Sequence, residues 1–126
     1  MTKTRPMTKT RPELVFKICR EAEWAEARES GCYTGSGDDA RDGFIHLSTA
    51  GQLVGTAGKY FRGIEGLVLV AFEPAALGEA LKWEPSRGGA LFPHLYALLP
   101  VAKALWASPL PLAADGVPVI PKDIVS

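Results

Sequence analysis

The sequence predicts an α+β domain in which two helices pack on a mixed, mostly antiparallel sheet. Three observations carry this. Residues 67–72 (Leu-Val-Leu-Val-Ala-Phe) are apolar at six consecutive positions, as a strand buried on both faces requires. Two segments, 21–30 and 49–61, have helical spacing with start and stop signals. After residue 80 short strand-like runs follow one another, so the chain reads as two strand–helix units and then a run of strands.

In order, 14–19 is a strand with Leu14, Phe16 and Ile18 on one face. Glu21 to Ser30 is a short helix built on Ala22, Trp24, Ala25 and Ala27 and stopped by Gly31. Thr34 to Gly43 is rich in Gly, Ser and Asp and reads as a loop. Phe44 to Ser48 is a strand. Thr49 and Gln52 have capping-box spacing, and the helix they open is expected to bury Leu53, Val54, Ala57 and Phe61 and to end at Gly63 or Gly66. Pro74 closes the apolar strand. Leu81 to Glu84 is a short strand, Ser86 to Pro93 a loop, and 94–99 and 103–107 are strands. Six of the ten prolines lie at Pro93 or later, which makes the C-terminal strands edges or irregular arms.

A chain of 126 residues is long enough for one domain with a genuine core. No apolar run approaches the roughly 20 residues that span a bilayer. Met1 to Pro6 is repeated letter for letter as Met7 to Pro12, too short for a repeat fold, whose units run to about 20 residues or more. Residues 1–12 are expected to form a flexible tail and 13–126 a single α+β domain. The polar, basic N-terminus lacks the apolar stretch of a signal peptide, so a cytoplasmic address is expected, and with it free thiols at Cys19 and Cys32. The first 12 residues hold four of the 14 basic residues and no acid, leaving ten against 14 acids in the rest, a net of about −4. A body of that sign is ill suited to wrapping nucleic acid, and no membrane is expected as partner. The expected partner is a small, nucleotide-like molecule.

The only two histidines sit in the most patterned segments, 42–49 (Asp-Gly-Phe-Ile-His-Leu-Ser-Thr) and 83–96. Histidine titrates near neutral pH, so it can bind, donate or accept. Alternation puts Phe44, His46 and Ser48 on one side of their strand, opposite Ile45 and Leu47. It puts His94, Tyr96 and Leu98 opposite Leu95, Ala97 and Leu99. Ile45, Leu47, Leu95 and Leu99 look like core, so the histidines face away from it, either converging on one pocket or standing apart on the surface. Arg87, Gly88 and Gly89 can form an anion-binding nest with a guanidinium beside it, or a plain turn. Glu84 can orient Arg87, act as acid or base, or cap a strand. Trp83, Phe92, Tyr96, Tyr60 and Phe61 offer aromatic surface for a flat ring, or core.

Other chemistries lack their signatures. There is no Gly-x-Ser-x-Gly elbow, no Gly-x-Gly-x-x-Gly after a strand and no Gly-Lys-Ser/Thr loop. The histidines are 48 positions apart with no Cys-x-x-Cys, so no metal is expected. A site of two histidines and one carboxylate, Glu84 or Asp42, is the weighed alternative. Cys32 has no motif that would make it a nucleophile.

At Gly43-Phe44-Ile45-His46-Leu47-Ser48-Thr49 and Phe92-Pro93-His94-Leu95-Tyr96, the chain resembles a family of small bacterial proteins called domain of unknown function 952. The resemblance covers residues 14 to about 112 and includes the Trp83-Glu84 and Arg-Gly-Gly-Ala-Leu stretch. That family is in turn distantly similar to the ADP-ribosyltransferase fold, which includes the RNA 2′-phosphotransferases. The likeness implies a split sheet gripping NAD and an ADP-ribosyl, glycosyl or phosphoryl transfer. His46 would then hold the nicotinamide ribose, His94 would be a second pocket histidine, and Tyr60 or Tyr96 would lie against the nicotinamide. Many such transferases carry a catalytic glutamate on a late strand, whereas after Glu84 the only acids here are Asp115 and Asp123.

Two expectations follow. In the first, His46, His94 and Glu84 are catalytic, and Ser48, Tyr60, Arg87, Gly88, Gly89 and Tyr96 hold NAD or a related ADP-ribosyl compound. His46 and Ser48 contact ribose, and Arg87 with the glycine backbone contacts a phosphate. In the second, the same cleft belongs to a non-catalytic module that binds a small metabolite or peptide.

Overall fold

The structure, a computed structural model, describes residues 14–86 and 89–125. The expected tail 1–12 lies outside them, as do Arg87 and Gly88. The elements run β1 (Val15–Arg20), α1 (Glu21–Ser30), β2 (Cys32–Tyr33), α2 (Gly37–Asp42), β3 (Ile45–His46), β4 (Ser48–Thr49), α3 (Ala50–Tyr60), β5 (Leu67–Phe72), α4 (Pro74–Leu77), β6 (Leu81–Pro85), β7 (Leu91–Leu95), β8 (Leu99–Pro100), β9 (Trp106–Leu110) and α5 (Lys122–Val125).

The strands form three sheets, ordered β4-β1-β5-β9, β3-β7-β6 and β2-β8. Every pairing between these strands is antiparallel. The α+β class therefore holds, but the mixed sheet gives way to wholly antiparallel ones.

The central strands of the four-stranded sheet, β1 and β5, are buried on both faces, and the register shows how. On one face Phe16 pairs with Ala71 and Ile18 with Leu69. This layer packs under Leu53 and Ala57 of α3, with Leu110 and Ile120. On the other, Val15 pairs with Phe72 and Cys19 with Val68, beneath Trp24 and Ala27 of α1, Tyr33, and the inner faces of β3 and β7. The expected strand at 14–19 and its Phe16/Ile18 face are present, but the opposite face is equally buried. β5 is buried at all six positions.

Several elements differ from expectation for local reasons. Residues 34–43 are not all loop: Ser36 caps α2 and Gly43 ends it with φ 85°, in the left-handed region that glycine enters most cheaply. The strand through Phe44 to Ser48 divides at Leu47: its N–H still donates to the Pro93 carbonyl at 3.0 Å, in register with β3, whereas the next residue, Ser48, pairs with Phe16 of β1. β3 thus joins the three-stranded sheet and β4 the four-stranded one. In α3, Leu53 and Ala57 share the buried face, but Val54 is 56% exposed, rotated about 100° from Leu53. That helix ends at Tyr60, with the Phe61 N–H on the Ala57 carbonyl at 3.1 Å.

The expected loop 86–93 contains the start of β7, and the expected strand 94–99 ends at Leu95. Pro93 is tolerated in this central strand because it stands opposite Leu47, where β3 ends: its carbonyl accepts the Leu47 N–H, and the N–H it lacks falls at the end of that ladder. The expected strand at 103–107 begins instead at Trp106, after a 3₁₀ turn over Val101–Lys103. β9 is an edge strand, as the prolines imply. Cys19 and Cys32 are both free thiols, and burial pushes the Cys19 thiol up to about 12. No helix among the described residues is long and apolar enough to cross a membrane.

Candidate functional site

The division at Leu47 opens a cleft between the two larger sheets. It measures about 240 Å³, and His46, Ser48, Tyr60 and His94 line it together with Lys17, Asp39, Arg41 and Asp42. His46 and His94 are direct partners across the β3–β7 ladder. Their ring centroids are 5.6 Å apart, nearly edge to face. The reading as two unrelated surface histidines is therefore excluded. Phe44 joins them, stacked on His94 at 4.1 Å and tilted against His46 at 4.6 Å.

The two imidazoles are held differently. Lys17 falls between Val15 and Cys19, opposite Val70, in the apolar layer of β1. A buried ammonium there needs a charged partner, and Asp39 supplies it, Nζ to Oδ2 at 2.9 Å, with both side chains almost wholly enclosed. Lys17 also donates to the His46 carbonyl at 3.1 Å. Asp39 accepts from the backbone N–H of Ser36 at 2.9 Å and of His46 at 3.0 Å, and lies 2.5 Å from His46 Nδ1. Burial alone would push this carboxyl up. The His46 ring, the Lys17 ammonium and the two backbone N–H groups outweigh it and hold Asp39 far below the ordinary carboxylate range.

The other ring nitrogen of His46, Nε2, is 2.9 Å from Asp42 Oδ2. Both nitrogens thus face carboxylates, which only accept. Asp42 is also bound by Arg41, Nε to Oδ1 at 3.0 Å, and that hydrogen bond holds its carboxyl below the usual range.

His94 is buried, 5% exposed, with Nδ1 2.7 Å from Glu84 Oε1. Tyr96 donates its hydroxyl to the same oxygen at 2.8 Å. Glu84 reaches His94 because it pairs with Phe92, one diagonal step from His94 on the same face of the antiparallel pair. The hydrogen bonds from His94 and then Tyr96 hold the Glu84 carboxyl below its usual range, and Glu84 pushes the Tyr96 hydroxyl up.

Of the residues expected at the site, His46, His94, Ser48 and Tyr60 share the cleft wall. The Ser48 hydroxyl is 3.1 Å from Thr56 Oγ1, and Tyr60 is half exposed. Glu84 and Tyr96 stand behind His94 rather than on the wall. Among the described residues Glu84 contacts His94 and Tyr96. Gly89 spends its N–H on the Ser86 carbonyl at 2.8 Å, which closes a turn. Arg87 and Gly88 lie outside the described residues.

Sequence reasoning missed Lys17, Asp39 and Arg41. One signal was present: Ser36 and Asp39 have capping-box spacing, with Gly43 placed to end the helix. Among the described residues no group of three or more His, Cys, Asp and Glu is arranged to hold a metal.

The sequence profile of the family described as protein of unknown function, DUF952, matches residues 18–107, and the chain belongs to that family. Two solved structures are similar along most of the chain. The crystal structure of protein CC0527 from Caulobacter crescentus is 53% identical, with a TM-score of 0.83, covering 84% of this chain and 93% of that one. The solution NMR structure of the same protein gives a TM-score of 0.76 at 53% identity, covering 83% and 90%. No curated protein matches.

Proposed function

We propose that this DUF952-family chain binds NAD or another ADP-ribosyl compound in the His46–His94 cleft and transfers the ADP-ribosyl group, with His94 as the acid–base residue. One observation carries the reading: two imidazoles with unlike commitments lie 5.6 Å apart on one cleft wall. His46 has carboxylates at both nitrogens, whereas His94 has only Nδ1 committed to Glu84, so Nε2 is its nitrogen for a ligand.

Size and charge agree. Ligand pockets run from about 300 Å³ upward, so about 240 Å³ suits the nicotinamide–ribose half of the dinucleotide, with the adenylate outside. Asp38 on the wall suits a cationic pyridinium. In the simplest reaction the bond from ribose C1′ to the nicotinamide nitrogen breaks, and its electron pair leaves with neutral nicotinamide. A water oxygen bonds to C1′ and gives its proton to His94 Nε2. Glu84, on Nδ1, stabilises the imidazolium that forms.

A second reading, a non-catalytic binding module, draws on the same polar network. The network already satisfies both nitrogens of His46 and one of His94 without a reacting group. Titration of the full chain with NAD, ADP-ribose and nicotinamide, following both imidazole resonances and the release of nicotinamide, separates the two. Shifts at both rings with release that His94→Asn abolishes support the transferase. Binding without release supports the module. No response to any of the three sinks the transferase reading.

A further inference from the structure

We infer that Asp42 occupies, from within the chain, a subsite built for an oxyanion of the ligand, a phosphate or a carboxylate, which displaces it on binding. The inference rests on the cleft being a ligand site and names the group it recognises there.

Three donor positions converge on the Asp42 carboxylate. Arg41 presents two of them, Nε to Oδ1 at 3.0 Å and Nη2 to Oδ2 at 3.3 Å. This is the parallel fork by which a guanidinium grips carboxylate or phosphate. His46 Nε2 is the third, 2.9 Å from Oδ2. A planar or tetrahedral oxyanion in place of the carboxylate would meet the same three nitrogens.

The two carboxylates on His46 are not equivalent. Asp39 is 2% exposed and fixed by Lys17 and by the N–H groups of Ser36 and His46. It cannot leave without stranding a buried ammonium. Asp42 is 33% exposed, ends α2, and is held only by Arg41, itself 68% exposed, and His46. Its position is also poor for the helix, since a carboxylate in the last turn opposes the backbone dipole. One carboxylate is part of the frame; the other is a side chain that can rotate away.

Exchange also keeps the charge in balance. At the Arg41 fork and His46 Nε2 one carboxylate leaves and one oxyanion takes its place. Arg41 has Asp38 as a second partner, Nη1 to Oδ1 at 3.3 Å, which steadies the guanidinium while Asp42 is out.

The test is titration calorimetry of inorganic phosphate, and separately of acetate, into the full chain and into Asp42→Ala. Removing the internal competitor should tighten binding about tenfold or more, the scale of one charged hydrogen bond. Adding Arg41→Gln should erase the gain. Preference for phosphate or acetate identifies the natural group. If Asp42→Ala melts early, Asp42→Asn removes the charge at equal volume and serves instead. Equal affinities in the parent and both variants, or a gain that survives Arg41→Gln, overturn the inference. ADP-ribose is titrated in parallel. If it binds none of the proteins while phosphate shows the gain, the ADP-ribosyl reading falls and the oxyanion subsite stands.

Discussion

Lys17 and Asp39 meet at 2.9 Å between β1 and α2, in a layer otherwise made of Val15, Cys19 and Val70. The pair ties the four-stranded sheet to the short helix that carries Asp42 and orients His46. Breaking a buried pair by removing one partner costs about 3–5 kcal/mol, because the other charge stays behind unpaired. Lys17→Met and Asp39→Asn are each expected to lose stability on that scale in urea unfolding. The double replacement should cost less than the two singles together. A single variant indistinguishable from the parent would show that the charges are not confined.

The same pair sets an acid limit. Asp39 is held well below its ordinary 3.8 in the folded protein, so the unfolded chain binds its proton first as pH falls. Its contribution is complete above about pH 4 and is lost as pH drops further toward the depressed folded value. Asp42 and Glu84 shift in the same direction. Unfolding free energies of the parent and Asp39→Asn should converge as pH falls below about 4. A gap that stays constant down to pH 2 would assign the stability to something other than ionised Asp39.

Glu84 fixes the tautomer of His94. A carboxylate 2.7 Å from Nδ1 accepts and cannot donate, so neutral His94 carries its hydrogen on Nδ1 and presents a bare Nε2. Long-range proton–nitrogen spectra should show that tautomer in the parent and a mixture in Glu84→Ala. Glu84→Gln, which keeps an acceptor oxygen, should preserve it. Because His94 is enclosed and stacked on Phe44, His94→Ala is expected to cost roughly 1–3 kcal/mol, more than an exposed-face change would.

The histidines were legible because strand alternation has period two: once Ile45, Leu47, Leu95 and Leu99 are assigned to the core, His46 and His94 must point the other way. Their meeting across the ladder was not legible, since register depends on which strands pair. Lys17 was hidden for a related reason. With Leu14, Phe16 and Ile18 on the buried face, a lysine on the other face looks solvated, until β2, β3 and β7 are known to cover it. Helix α2 was masked by its composition, since Gly37, Asp38 and Asp39 are weak helix formers whose capping pattern competes with the reading as a loop. The divided strand at Leu47 has no sequence signal that we can identify.

Gly35 shows how tightly the carboxylate frame is set. Its φ is +106°, where only glycine sits without strain, and a Cβ built there would lie 2.8 Å from the Asp39 Cβ and 3.3 Å from Oδ2. Neither neighbour is the loose end of a flexible chain, because Asp39 is held by Lys17, Ser36 and His46 at once. Gly35→Ala therefore has to move the Asp39 side chain or the turn before α2, at a cost of about 1–3 kcal/mol from the backbone alone. The effect should reach His46 as a changed imidazole shift and leave His94, anchored from β6 by Glu84, largely as it was. Equal disturbance of both rings in Gly35→Ala would mean that the two histidines share one support rather than two.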